Sequence, residues 1–283
     1  MLDRILIGIP SYFGWDEVRD IRFKAHQKQL NWIKELGIKT IIYAQEYKKN
    51  EYDPSPLITY EKHKKPQHWA IFKRKFLEYF YETDYEWGII ADNDAGLYDH
   101  HLGYNIFKHM NMFPKAWKDI DFWYPLDPRK EPFTHLWQKY PDIYTNNLVF
   151  VQTSLTTKGT MFVVKNPKYS GKKKVLFSAE TSCDDTEFTI NCIVNGWNVY
   201  KCNSSIMKEL VNSSEHSTIS WLSNINERAR IVIEEKKLFA QRYNIPITER
   251  RNGGISFKSK EFCKKYMKNV PKTIAIPKRE SEL

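Results

Sequence analysis

Two groups of acidic residues carry the side chains best suited to metal binding and proton transfer. Asp92, Asn93 and Asp94 directly follow the apolar run Trp87–Ala91, which reads as a buried strand. In an open α/β sheet, ligands bind at the carboxyl ends of the strands. Two carboxylates at such an end can share one Mn²⁺ or Mg²⁺ ion and leave positions for phosphate oxygens. We predict that this motif holds a metal ion against a nucleotide diphosphate; a plain Asp- and Asn-rich turn is the alternative.

The second group lies at the start of a predicted helix, in the sequence Asp184-Asp185-Thr186-Glu187. An aspartate at a helix N-terminus is often only a cap. Two adjacent aspartates and a glutamate within one turn exceed what capping requires. We expect Asp184 or Asp185 to act as a general base that takes the proton from an attacking acceptor hydroxyl.

His216 lies in a polar loop and is a candidate third metal ligand. A lone histidine in such a loop is usually only exposed to solvent. A site with two carboxylates needs a further ligand, however, and neutral imidazole is an acceptable one for manganese.

The nucleotide itself requires contacts for its base and its phosphates. Pro10, Ser11 and Tyr12 end the first predicted strand and are well placed to flank the base, although Tyr12 can equally be a packing residue. Arg74 and Lys75 lie on the predicted helix before the metal strand, from which they can reach a diphosphate. Solvation at the surface is an equally good interpretation of these two.

The elements that must position these residues alternate between strand and helix. A strand over residues 4–10, a helix from Asp16 to Gly37 and a strand over residues 39–44 predict a parallel sheet with a right-handed crossover. Residues 48–67, with three prolines, are predicted to form a surface excursion. The further predicted elements are helices over 68–81, 187–194 and 225–243, strands over 87–91, 122–124 and 160–164, and a turn into a strand over 196–200.

The whole pattern predicts one α/β domain over residues 1–245, with a basic C-terminal extension over 246–283. The last forty residues show little periodicity apart from their positive charge. Lys and Arg number 44 against 34 Asp and Glu, which gives a net charge of +10. The excess concentrates near residues 62–75, 172–174 and 250–279. Such clusters are either solvated faces or a surface for a phosphate-rich partner such as nucleic acid.

Composition excludes several classes of protein. Hydrophobic residues make up 41% of the 283 residues, which excludes a disordered chain. No apolar run approaches the roughly 20 residues of a membrane span. The N-terminal residues lack the layout of a signal peptide, and the four cysteines form no Cys-x-x-Cys pair. We therefore expect free thiols, no membrane span and a cytoplasmic protein, in the host cytoplasm if the chain is viral.

In their order along the chain, these residues resemble the GT-A class of glycosyltransferases, a Rossmann-like mixed sheet flanked by helices. The resemblance covers residues 4–220 and rests on the order of its motifs, since none is decisive alone. A departure from the common pattern is Asp184, where glutamate is usual. The matching features are a Pro-containing loop over 9–12, the basic helix residues Lys73-Arg74-Lys75, the motif Asp92-Asn93-Asp94, the acidic pair followed by Gly196, and His216.

The opening Ile7-Gly8-Ile9-Pro10-Ser11-Tyr12-Phe13, the basic charge and the length further resemble a narrower group. These are the T-even phage transferases that add a second glucose to glucosyl-hydroxymethylcytosine. The resemblance implies UDP-glucose as donor and double-stranded DNA carrying the modified cytosine as acceptor. It also implies a β-linked product, and therefore inversion in a single displacement with Asp185 as base.

Three other functions remain open from the residues themselves. A cytoplasmic GT-A transferase with another donor, such as an arabinosyl donor, or with a surface-glycan acceptor uses the same core. A nucleotidyltransferase can also place aspartates at a strand end, but the chain has no Gly-rich phosphate loop. A plain DNA-binding protein explains the charge and leaves the aspartates unexplained, since carboxylates repel phosphates in the absence of a metal.

Overall fold

The structure is a computed structural model. It describes residues 2–14, 16–96, 105–126, 146–153, 155, 161–178, 181–206, 208–209, 225–249 and 254–278. Among these residues, no helix combines the length and the hydropathy needed to cross a membrane.

The chain begins with a strand, a helix and a second strand, as predicted. The strands are β1 Ile5–Tyr12, β2 Lys39–Gln45, β3 Ile58–His63, β4 Trp87–Ala91, β5 Ala95–Gly96, β6 Phe122–Leu126, β7 Asn147–Gln152, β8 Met161–Lys165, β9 Val199–Ile206, β10 Lys208–Glu209, β11 Ile247–Glu249, β12 Ile255–Phe257 and β13 Thr273–Pro277. The helices are α1 Asp16–Leu36, α2 Trp69–Phe80, α3 Ile106–Met112, α4 Pro167–Ser170, α5 Asp184–Val194, α6 Ile225–Tyr243 and α7 Ser259–Tyr266.

Within the described residues, nine strands form one mixed sheet in the order β13-β7-β9-β6-β8-β4-β1-β2-β3. The pairs β1–β2, β2–β3, β1–β4 and β6–β9 are parallel, whereas β8 runs antiparallel to both β4 and β6. The predicted fold class, an α/β mixed sheet flanked by helices, is confirmed. So is the parallel arrangement predicted for the first strand–helix–strand unit.

The strand order reverses at β1. The chain passes outward from β1 to β2 and β3, and then returns to place β4 on the other side of β1. Connections on either side of such a reversal diverge, which leaves a crevice outside the carboxyl ends of the two central strands. Here those ends are Tyr12 and Ala91, so the residues after β4 lie at this crevice.

Two hydrophobic clusters cover the two faces of the sheet. Ile5, Ile7 and Ile9 of β1 pack in the cluster that includes residues of α1, while Leu6 packs in the other cluster with α2 and α5. This alternation is the period of a strand that is buried on both faces.

Two glycines allow α2 to lie very close to the sheet. A Cβ atom on Gly8 of β1 would collide with the ring of Phe76, and one on Gly88 of β4 would lie 2.9 Å from Cδ1 of Phe80. Both phenylalanines are buried on α2. The missing side chains therefore set the distance between α2 and the two central strands.

The stretch over residues 48–67 differs from its prediction as a surface excursion, because it contains β3. β3 is the last strand of the sheet and pairs with β2 along its length. Thr59 and Lys62 of β3 are exposed. Because an edge strand can keep one side polar, β3 lacks the apolar run that is typical of a buried strand. The prolines lie outside the strand and flank it.

The last forty residues contain regular structure that their sequence did not reveal. α7 is a two-turn helix, and β13 pairs antiparallel with β7 at the other edge of the sheet. Residues 273–277 therefore belong to the main sheet. Only Ile276 of β13 is buried, which leaves too little apolar patterning for periodicity to detect.

We predict that Gly8→Ala destabilises the protein by about 1–3 kcal/mol, because the added methyl group must displace the Phe76 ring in a packed interior. Urea unfolding of Gly8→Ala, Phe76→Leu and the double variant measures the effect. The smaller leucine makes room for the methyl group, so the double variant should lose less stability than the sum of the two single changes. Additive losses would contradict the close packing inferred here.

Candidate active site

Asn93 links the loop after β4 to the end of β1. Its side-chain Nδ2 donates to Oγ of Ser11 at 3.0 Å and to the carbonyl oxygen of Tyr12 at 3.2 Å. The Ser11 hydroxyl also hydrogen-bonds the hydroxyl of Tyr47, which follows β2. Both Ser11 and Asn93 are buried. Asn93 therefore acts here as a structural link that fixes the positions of its neighbours Asp92 and Asp94.

Helix α1 also holds this loop. Gln29 Nε2 donates to the carbonyl oxygen of Asp92 at 2.9 Å and to that of Ala95 at 3.3 Å. The Gln29 side chain in turn pairs through Oε1 with His26 Nδ1 at 3.1 Å. Burial lowers the pKa of His26 to about 4, so its ring is neutral at pH 7 and its Nδ1 can donate to the amide oxygen. These contacts fix the backbone turn after β4.

Asp94 points into the protein interior. Its Oδ2 lies 3.6 Å from Nη1 of Arg22 on α1, and both side chains are buried. Asp92 differs, because 39% of its side chain is exposed. Of the two predicted metal ligands, Asp92 is therefore the one that offers its carboxylate to the crevice.

Lys73 on α2 lies between Asp92 and the start of α5. Its Nζ is 3.3 Å from Oδ1 of Asp92 and 3.2 Å from Oδ2 of Asp184, and only 2% of its side chain is exposed. Burial alone disfavours the charged amine, but Asp184, Asp92 and Asp185 together offset this and raise the pKa of Lys73 above its ordinary value. The lysine is therefore a permanent cation that joins the two predicted acidic groups.

Asp184 is held at two points by α2. Trp69 Nε1, one helical turn before Lys73, donates to Oδ1 of Asp184 at 2.9 Å. The other oxygen, Oδ2, is buried and accepts no hydrogen bond from the described residues, although it faces the Lys73 ammonium. This oxygen carries charge that the protein only partly satisfies.

Asp185 is half-buried, and its Oδ1 accepts from the backbone N–H of Thr186 at 2.7 Å. Burial raises the pKa of Asp185 to about 6, and the charge of Asp184 adds to this while Lys73 opposes it. The pKa of Asp92 is also raised to about 6, by burial and by the charges of Asp94 and Asp184, against the effect of Lys73. Burial is the first cause of both pKa shifts, and the neighbouring carboxylates add to it.

Two glutamates hold the segment that leads into α5. Buried Glu187 accepts from the Ser178 backbone N–H at 3.1 Å and from its hydroxyl at 3.0 Å. Glu235 of α6 accepts from the Ser182 N–H at 3.0 Å and from the Thr181 hydroxyl at 3.3 Å. Glu187 therefore has a structural role, which leaves Asp184 and Asp185 as the acidic residues that face the site.

The carboxylates at the crevice suit a divalent ion whose other ligands come from water and from a bound substrate. Among the described residues, no group of three or more His, Cys, Asp or Glu side chains forms a metal centre, and the candidate ligand His216 lies outside the described residues. Mg²⁺ commonly binds through one or two carboxylates, with water and substrate phosphates as its other ligands. The partly exposed Asp92 and Oδ2 of Asp184, which faces the Lys73 ammonium without a hydrogen bond from the described residues, agree with such an ion. The predicted ligand Asp94 is buried and faces Arg22.

The residues predicted to bind the nucleotide are only partly assembled at the crevice. Pro10 and Ser11 are buried, so Tyr12, which is half-exposed, is the member of that group with side-chain surface for a ligand. Arg74 donates to Glu78 and to the carbonyl oxygen of Phe177, and Lys75 pairs with Glu61. Successive helix residues diverge by about 100°, which turns these two away from the direction of Lys73.

The sequence analysis placed Lys73 in the basic helix but gave it no role in the site, and it did not single out Arg22. A usable signal for Lys73 was present, because it lies on the apolar stripe of α2 formed by Ala70, Phe76 and Leu77. A lysine at three- and four-residue spacing from buried residues must itself be buried, and a buried lysine requires carboxylate partners. The pairing of Arg22 with Asp94 left no comparable pattern.

No protein-family model matches the sequence, and no curated protein matches it either. Solved structures give distant likenesses. The 4-diphosphocytidyl-2C-methyl-D-erythritol synthase of Anaerococcus prevotii DSM 20548 is 10% identical with a TM-score of 0.38, over 82% of this chain and 98% of that one. HddC from Yersinia pseudotuberculosis, complexed with GMP-PN, is 7% identical with a TM-score of 0.37, over 82% and 99%. A mycobacterial protein is 8% identical with a TM-score of 0.41, over 90% and 82%. Values this low carry no argument about activity.

Proposed function

We propose that this protein is a metal-dependent glycosyltransferase that uses a nucleotide-sugar diphosphate. The observation that carries the proposal is the meeting of Asp92, Asp184 and Asp185 around the buried Lys73, at the carboxyl ends of the central strands. Open α/β sheets bind ligands at this position. An acidic cluster with one embedded cation suits the binding of a metal–diphosphate and the removal of a proton nearby.

The roles follow from the surroundings of each side chain. Asp92, with Asp94 behind it, would hold Mn²⁺ or Mg²⁺, and His216 remains a proposed third ligand. When bound, such an ion neutralises the charge that develops on a departing nucleoside diphosphate. Tyr12 is placed to contact the nucleotide base. Lys73 keeps Asp92 and Asp184 at a fixed separation.

Asp185 is the proposed general base. Its carboxylate is half-buried, has a pKa raised to about 6 by burial and by Asp184, and accepts one backbone hydrogen bond. A base of this pKa is mostly ionised at pH 7 and still binds a proton better than a solvent-exposed aspartate. It can take the proton from an acceptor hydroxyl as that oxygen attacks the sugar.

For the substrates we propose UDP-glucose and a glucosyl group on hydroxymethylcytosine in double-stranded DNA, with inversion at the transferred sugar. The resemblance of residues 7–13 and the net charge of +10 support this acceptor. Several lysines of the basic clusters are already paired, as Lys75 is with Glu61 and Lys174 with Glu82. A surface-glycan acceptor or another donor sugar is the alternative outcome of the acceptor experiment below.

We predict that Asp92→Asn abolishes transfer and removes Mn²⁺-dependent UDP binding while the protein remains folded. The side chain is 39% exposed and its backbone is held by Gln29, so the loop should survive the change. Isothermal titration with UDP, with and without Mn²⁺, measures the loss. Asp84→Asn is the matched control, because this carboxylate is exposed and pairs only with the surface residue Lys168 among the described residues. Normal Mn²⁺-dependent binding in Asp92→Asn would remove the metal assignment.

We predict that Asp185→Asn lowers kcat by roughly 10² or more and leaves UDP binding unchanged. Asparagine can still accept the hydrogen bond from the Thr186 N–H, so the start of α5 should keep its geometry. Single-turnover rates beside UDP titrations separate the two effects. Wild-type turnover would place the base on another residue.

The acceptor is tested by incubation with UDP-glucose and Mn²⁺ in the presence of glucosylated hydroxymethylcytosine DNA or unmodified DNA. Nucleoside mass spectrometry should find one added hexose on the modified DNA alone. Activity on DNA should also fall steeply between about 50 and 200 mM salt, because phosphate contacts release counterions. Hydrolysis of UDP-glucose without a DNA product, or a flat salt response, would favour a glycan acceptor.

A further inference from the structure

Lys73 already places a positive charge beside the proposed metal ligand. Its Nζ lies 3.3 Å from Oδ1 of Asp92, within direct ion-pair distance. The side chain is fully enclosed on α2, and its second partner, Asp184, is held in turn by Trp69. The ammonium group therefore has little freedom to withdraw when another cation approaches.

We propose that Lys73 is a built-in competitor of the divalent ion, so that the nucleotide-free protein binds the metal weakly and the diphosphate supplies the missing attraction. This inference rests on the proposed function for the identity of the diphosphate. The competition itself depends only on Lys73, Asp92 and Asp184. Lys73 is then a positioning residue that sets the order in which metal and nucleotide bind.

Electrostatics predict the direction in which Lys73 changes the metal affinity. A divalent ion on Asp92 must lie within several ångströms of the Lys73 ammonium, and the two cations repel each other. Even at the dielectric constant of water, this repulsion over about 5 Å corresponds to roughly a tenfold weakening of metal binding. A diphosphate bound at the same place attracts both cations and screens one from the other. Metal and nucleotide should therefore raise each other's affinity, by the same factor in both directions.

A purely structural lysine predicts the opposite result. If Lys73 served only to hold the site together, its removal would loosen Asp92 and weaken metal binding. If it competes with the metal, its removal strengthens metal binding in the absence of nucleotide. The direction of the change therefore separates the two roles.

The test is titration of the full-length protein with Mn²⁺ alone, with the free ion counted by electron paramagnetic resonance. Lys73→Met should bind Mn²⁺ about tenfold more tightly than the wild type. Lys34→Met is the matched control, since it removes the same charge from a lysine in the last turn of α1 that pairs with Asp53, and it should bind like the wild type. Unchanged or weaker binding by a folded Lys73→Met would overturn the proposal.

The variant leaves Asp184 buried without its cation, which can prevent folding. A second pair of variants avoids this difficulty. Asp184→Asn removes the carboxylate and keeps the acceptor for Trp69, and Lys73→Met is then added to it. The double variant should bind Mn²⁺ more tightly than Asp184→Asn alone. Equal affinity in this pair would overturn the proposal as well.

A second titration with UDP present separates this proposal from the proposed function. In the wild type, UDP should strengthen Mn²⁺ binding markedly, and in Lys73→Met the strengthening should be much smaller. If UDP has no effect on the wild type, the proposed nucleotide function fails. The comparison of Mn²⁺ binding without UDP would still decide whether Lys73 competes with the metal.

Discussion

The ion contacts of Lys73 constrain three segments that are far apart in the sequence. The lysine belongs to α2, Asp92 follows β4, and Asp184 begins α5. An enclosed ammonium group is costly without partners, and an enclosed carboxylate without a cation is equally costly. The folded state must therefore bring all three segments together or leave a charge buried alone. This requirement fixes the geometry of the site more firmly than any surface ion pair can.

The reach of that lysine depends on the packing of α2 against the sheet. Gly8 and Gly88 remove the two side chains that would hold the helix away from β1 and β4. The rings of Phe76 and Phe80 occupy the space, and Lys73 continues the same face toward the carboxyl ends of the strands. A change in the middle of the sheet therefore reaches the site through the position of one helix. The packing of the core and the position of the Lys73 charge therefore depend on the same helix.

The sequence predicted the parts of this arrangement that local patterns determine. The apolar run of β4, the span of α1 and the full length of α6 agree with their predicted positions, because each has a clear periodicity. β3 and β13 escaped prediction because edge strands need only one covered side, and their polar residues conceal the alternation. The acidic groups were found from their position at element ends. Their link through Lys73 was missed because it depends on how α2 is rotated, which a cluster of basic residues does not reveal.

The charge balance of the site, within the described residues, indicates what kind of ligand it is built to receive. Four carboxylates meet there, from Asp92, Asp94, Asp184 and Asp185, and the cations in ion-pair contact with them are Lys73 and Arg22. These four carboxylates outnumber the two cations in ion-pair contact with them. The pKa values of Asp92 and Asp185 are raised to about 6, in the first place by burial, while Lys73 opposes both shifts and Lys236 also opposes that of Asp185. A divalent ion would lower the negative charge of the site, although the Lys73 ammonium beside Asp92 opposes its binding, whereas a diphosphate without a metal would increase that charge. If the proposed nucleotide diphosphate binds here, it should bind together with a cation, because the carboxylates alone would repel it.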